Sequence, residues 1–204
     1  MSLPGAVVEA SERTSPALKV GILLSGGAHR EAAEAARSGL LETFGGADMD
    51  IVIIDDVLDV TGFATRSSSR ANQLDTASFN DPSLTSSLRG EHDVDVLLFV
   101  TQHDISRFST GEDYLAGSGR VDSLSAVISY NRFLPLSSVP SATSSPDLPL
   151  PRVAGLEERL MKLASHEFGH ILGYTHRLDG SVMTYRPAGE DVALNSLELE
   201  AQKS

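Results

Sequence analysis

Between Ser165 and Arg177 the chain reads SHEFGHILGYTHR, and no other stretch limits the local fold as tightly. His166 and His170 stand four residues apart, just over one turn of an α-helix and a rise of about 6 Å, so both imidazoles leave the same face. Gly173 lets the chain depart from that helix through a conformation closed to most residues, and His176, three residues on, can swing back towards the other two. The segment thus calls for a helix ending near residue 173 and a return loop. Three nitrogens and one open position suit a tetrahedral, catalytic zinc, and Glu167 stands where it can reach a zinc-bound water without being a ligand.

Composition sharpens this reading. The chain has no cysteine, so a disulfide framework, an iron–sulfur cluster, a Cys-ligated zinc and a thiol nucleophile are all excluded, and any metal must rest on His, Asp or Glu. Three of its six histidines fall between His166 and His176. HExxH alone recurs by chance in many helices. The five fixed positions of HExxHxxGxxH would arise in a chain of this length with a chance on the order of 10^-5. Two other ligand sets compete. Glu190 lies at a spacing that an HExxH-plus-Glu site tolerates, but this leaves Gly173, His176 and Met183 without a role and places Glu190 in the poorly helical RPAGED. Asp179 could replace His176, although an imidazole already occupies the template position. His29, His92 and His103 read as surface or capping residues.

A formal net charge of -12 disfavours nucleic acid and anionic membrane as partners. The longest apolar runs, such as VGILL and VDVLLFV, fall short of the roughly 18 to 20 residues that span a bilayer. The first residues lack the basic start and apolar run of a secretory signal, so a cytoplasmic location is expected.

The organisation reads as an unstructured tail over 1–17 followed by one catalytic domain over 18–204, divided into an N-terminal subdomain to about residue 175 and a small C-terminal one from about 176. LKVGILL is a strand, HREAAEAARSGLLETF a helix, and IVIID a second strand, which suggests a right-handed crossover in a mainly parallel sheet. Residues 56–93 read as a long connection around one or two short helices, with Asp81 and Pro82 starting one of them. DVDVLLFVT is a third strand. Two extended pieces around a turn follow, with SAVISY the clearer strand. Residues 137–151, rich in Pro and Ser, read as a loop or lid. A helix runs from near Gly155 to about Gly173, and a terminal helix is capped at Asn195 or Ser196. The SGG of Ser25 to Gly27 reads as a plain connection, since it lacks GxGxxG or a Walker lysine.

HExxHxxGxxH followed by GSVMTY resembles the metzincin clan of zinc peptidases, with Met183-Thr184-Tyr185 similar to the Met-x-Tyr turn of astacins and serralysins. The order of strands and helices upstream is similar to archaemetzincins. That resemblance implies an α/β zincin-like fold: a twisted mixed sheet with an antiparallel edge strand, packed on the helix of the active site. It implies one Zn2+ on His166, His170 and His176, Glu167 as general base, Met183 as an apolar floor beneath the metal, and Tyr185 as a further ligand or oxyanion donor. The implied substrate is a peptide in extended conformation, paired with an exposed strand within residues 112–128 and cleaved by a zinc-bound water. Archaemetzincins carry a Cys directly after the third His and three more downstream for a second zinc. This chain has Arg177 there, so no second zinc is expected. A zinc-dependent hydrolase of small-molecule amides and a non-catalytic peptide-binding module are the alternatives.

Overall fold

A computed structural model describes residues 17–45, 48–68, 72–111, 114–135, 147, 149–176, 181 and 183. The expected tail up to residue 16, most of the 137–151 segment, most of the C-terminal subdomain with its terminal helix, and Asp179, Tyr185 and Glu190 lie outside them.

β1 (Leu18–Ser25), α1 (Arg30–Phe44) and β2 (Met49–Leu58) form the expected crossover, β2 lying parallel to β1. The connection that follows is more structured than its polar sequence suggests. It contains β3 (Thr65–Ser67), β4 (Asn72–Asp75), α2 (Thr76–Phe79) and α3 (Pro82–His92), and Asp81 caps α3 by accepting from the N–H groups of Ser83 and Leu84. β5 (Val96–Thr101) begins three residues later than its apolar run predicts. Asp93 holds a left-handed conformation at the end of α3, and the Asp95 carboxylate is turned onto the Lys19 N–H. β6 (Asp104–Ser106), the hairpin of β7 (Gly117–Arg120) and β8 (Ser125–Ser129), and α4 (Leu156–Ile171) complete the described elements.

The main sheet is mixed, in the order β2-β1-β5-β8-β7; only β7 is antiparallel, and it forms an edge. Every residue of β5 is buried because both faces of this central strand are covered. On one face, Val20, Ile22, Val96, Leu98 and Ile128 pack beneath α1 and α4. On the other, Leu23, Leu97, Phe99 and Val127 meet Phe79, Leu74 and Ile105, over which β3, β4 and β6 make a small second sheet. No helix among the described residues is long and apolar enough to cross a membrane.

The alanine-rich face of α1 sets the position of α4. A Cβ at Gly39 would stand 2.2 Å from the Met161 carbonyl oxygen, so the helices touch backbone to backbone at this point. The buried Ser165 hydroxyl, one residue before the first histidine of the triad, donates to the Gly39 carbonyl at 2.9 Å and lies 2.8 Å from the Thr43 hydroxyl. Register between α1 and α4 is thereby tied to the residue that precedes His166.

Candidate active site

α4 ends as its sequence requires. Gly173 takes φ +88, its N–H donates to the His170 carbonyl, and the Tyr174 N–H donates to the Gly169 carbonyl. The chain then doubles back and carries His176 to the helix face that bears His166 and His170. The three Nε2 atoms lie 3.2 Å (His166 to His170), 3.1 Å (His170 to His176) and 3.3 Å (His166 to His176) apart. Three imidazole nitrogens bound tetrahedrally at about 2.0–2.1 Å from one zinc would be separated by about 3.3–3.4 Å, so the spacing fits such an ion. The His170 Nδ1 is 2.9 Å from the Tyr174 carbonyl, which can only accept; the proton therefore sits on Nδ1, and Nε2 keeps its lone pair for a metal. Burial and the neighbouring His170 hold the His176 imidazole below its ordinary value, favouring the neutral form that a metal ligand needs. Among the described residues this is the one group of three or more His, Cys, Asp or Glu able to hold a metal.

Glu167 points away from solvent, at 6% exposure, against the edge strand. Burial pushes its carboxyl up to about 8, opposed by a hydrogen bond from the Gly119 N–H and by the charge of Arg107. The Arg107 Nη2 donates to the Ser118 hydroxyl at 3.2 Å, on the far side of β7. Two glycines make the fit between strand and helix possible. A Cβ at Gly117 would lie 2.6 Å from Glu167 Oε1, and one at Gly119 would lie 2.2 Å from the Glu167 carbonyl oxygen. Neither residue stands out as functional in the sequence, although alternate glycines in a strand are a signal of close backbone approach. Gly119→Ala should force β7 off α4, with a loss of about 1–3 kcal/mol and a fall in Tm of roughly 2 to 12 °C. A thermal melt checks this.

Met183 is buried at 1% exposure, and its Sδ would be 2.5 Å from a Cβ at Gly169, the residue before His170. It packs against the helix at the residue before His170. Met183→Leu should cost under about 1.5 kcal/mol and Met183→Ala about 2–5 kcal/mol, measured by denaturant unfolding. Leu172 and Tyr174 are exposed at 43% and 42% on the turn that leads to His176.

Two of the remaining histidines, His29 and His103, are more buried than expected. His29 holds the N-cap position of α1 but is buried, makes no cap bond with its side chain, and places its Nδ1 2.7 Å from the Tyr130 hydroxyl. His103 is partly buried at the end of β5, where burial lowers its pKa and its ring donates to the Gly26 carbonyl. Gly26 and Gly27 form the turn that leads from β1 towards α1.

Three solved structures share this fold. Archaemetzincin from Archaeoglobus fulgidus, complexed with malonate, aligns with a TM-score of 0.56 and 21% identity over 82% of this chain and 86% of its own. Archaemetzincin from Methanopyrus kandleri aligns at 0.58 and 21% over 83% and 82%, and a zinc-dependent peptidase from Methanocorpusculum labreanum at 0.53 and 18% over 81% and 87%. The chain therefore has the archaemetzincin-like fold expected of it, a mixed α/β sheet with an antiparallel edge. No family model and no curated protein matches the sequence.

Proposed function

We propose that the chain is a zinc-dependent peptidase that cleaves an extended peptide aligned along β7, with one zinc held by His166, His170 and His176. The observation that carries this reading is the convergence of three Nε2 atoms to within 3.3 Å of one another on a helix whose Glu167 is fixed by a backbone N–H of the edge strand. Zinc, when bound, acidifies a water and polarises the scissile carbonyl.

Glu167 takes a proton from the attacking water as its oxygen bonds to the carbonyl carbon, and passes that proton to the leaving amine as the C–N bond breaks. Gly119 keeps the carboxylate aimed while it does so. Along β7 the pairing alternates: the Ala116 carbonyl accepts from the Ser129 N–H, so Ala116, Ser118 and Arg120 face β8 while Gly117 and Gly119 turn their peptide groups outward. With the Gly119 N–H on Glu167, Gly117 offers both its donor and its acceptor to a substrate strand. Tyr185, by the Met-x-Tyr resemblance, supplies a further donor to the oxyanion; Gly173 and Met183 hold the loop and the floor.

The reading is tested by incubating zinc-loaded protein with a peptide pool and a set of small non-peptide amides and following both by mass spectrometry. Cleavage within peptides is expected. Cleavage confined to the small amides would replace it with a small-molecule hydrolase, and tight peptide binding with no hydrolysis would replace it with a binding module.

A further inference from the structure

The outer edge of β7 is open in one direction and closed in the other. Leu115, Gly117 and Gly119 turn their peptide groups outward, because Ala116, Ser118 and Arg120 direct theirs at β8. At Leu115 the outward place is taken. The Leu115 N–H donates to the Ile105 carbonyl at 2.8 Å, and Ile105 lies antiparallel to it as a neighbouring strand would. At Gly119 the N–H is held by Glu167 while the carbonyl still faces outward, and the strand continues into a hairpin whose Val121 is 55% exposed.

The closure is built into the fold. Ile105 is fully buried and belongs to β6, which pairs with β4 through Leu74. The residue before it, Asp104, is fully buried and accepts from Arg132 Nε at 2.7 Å, Arg132 Nη2 at 2.6 Å and Gln73 Nε2 at 3.0 Å. The same Arg132 guanidinium lies over the Tyr114 ring, 4.5 Å from its centroid, one residue before Leu115. The His103 carbonyl accepts from the Ser129 hydroxyl at 2.6 Å, which ties the start of β6 to β8. Moving β6 aside would strip a buried carboxylate of its cation, so the segment acts as a fixed wall.

The position of the wall sets how far a substrate can run. Gly117 gives its N–H and its carbonyl to a single residue only in an antiparallel pair, the arrangement β7 makes with β8 and with Ile105. An antiparallel substrate points its C-terminal side towards Leu115. The residue two beyond the one paired with Gly117 would fall opposite Leu115, where Ile105 stands. Glu167 marks the reacting bond beside that pair, since a Cβ at Gly117 would lie 2.6 Å from its Oε1. We infer, resting on the peptidase reading above, that the substrate is a free C-terminal segment, from which the protein releases single residues or dipeptides rather than cutting within long chains. The N-terminal part of the substrate leaves past Gly119 along the open edge. Water is the co-reactant: its hydroxyl bonds to the acyl carbon, its other hydrogen passes to the leaving amine, and the C–N bond breaks.

The test uses the full zinc-loaded chain with a randomised dodecapeptide pool, a second pool made of D-amino acids over its C-terminal half, and a third made of D-amino acids over its N-terminal half. Mass spectrometry at early times should show one or two residues lost from the C-terminus of the first and third pools. The second should be cut at least about tenfold more slowly, since its L-residues reach Gly117 only if a long C-terminal piece passes Ile105. Binding is read separately with 15N-labelled, zinc-loaded Glu167→Gln protein, in which the first and third pools should shift the Gly117 amide resonance and the second should not. The inference is overturned by cleavage in the middle of the first pool, by loss from its N-terminus, by a second pool that shifts the Gly117 amide as strongly as the first, or by the absence of any shift. If no peptide is cut while the first and third pools alone shift that resonance, the peptidase reading falls and the selection for a free C-terminus stands.

Discussion

Glu167→Gln protein is expected to hold zinc as the parent does and to turn over peptide about 10^2- to 10^4-fold more slowly, the usual contribution of a positioned proton acceptor. The substitution suits the geometry. Glutamine has the shape of glutamate, so the close contacts with Gly117 and Gly119 survive, and the amide oxygen can still accept from the Gly119 N–H. What is lost is the capacity to take a proton. The fall should appear in kcat with little change in KM, because the residue acts in the transition state rather than in holding substrate. Metal analysis beside the kinetics separates this from a loss of zinc. An unchanged kcat would remove Glu167 from the chemistry.

His176→Ala makes the complementary case. His176 is exposed and sits on the loop after α4, so its loss leaves no cavity, and the fold should survive. The metal site should not, since two nitrogens on one helix face would remain. Peptide cleavage should fall to background. Stability gives a second readout. Zinc bound to the folded state at a hundred to a thousand times its Kd contributes about 2.7–4.1 kcal/mol, and roughly 2–4 °C per kcal/mol makes this a shift of about 5 to 16 °C in Tm. Chelation should therefore lower the melting temperature of the parent and of Glu167→Gln, and leave that of His176→Ala in place. A chelation shift that persists in His176→Ala would move the third ligand elsewhere.

The parts of the fold that read clearly from sequence are those in which one physical signal dominates. The apolar runs of β1 and β5 sit between two covered faces, the alanine spacing of α1 buries one side, and Asp81-Pro82 caps a helix by local chemistry alone. β3, β4 and β6 are short and polar, and what buries them is a network joining Arg66, Gln73, Ser106, Asp104 and Arg132 across distant parts of the chain. No local pattern announces such a network. The site divides in the same way. The histidines and Gly173 lie within eleven residues and share one geometry, whereas the role of Gly117 and Gly119 depends on a helix almost fifty positions downstream. His29 stands at the N-cap position of α1, as its place before the helix suggests, but Tyr130 arrives from a hundred residues away and buries its ring.

The glycines along α4 also bear on how this molecule can change over generations. At positions 39, 117, 119 and 169 the space that a side chain would occupy is already filled by the backbone or side chain of a neighbour. A saturation library should therefore show four columns in which nearly every replacement is lost, at residues that carry no functional group. Drift in substrate preference would have to run through the exposed rim, through Leu172 and Tyr174, while the strand-and-helix seam beneath Glu167 stays fixed.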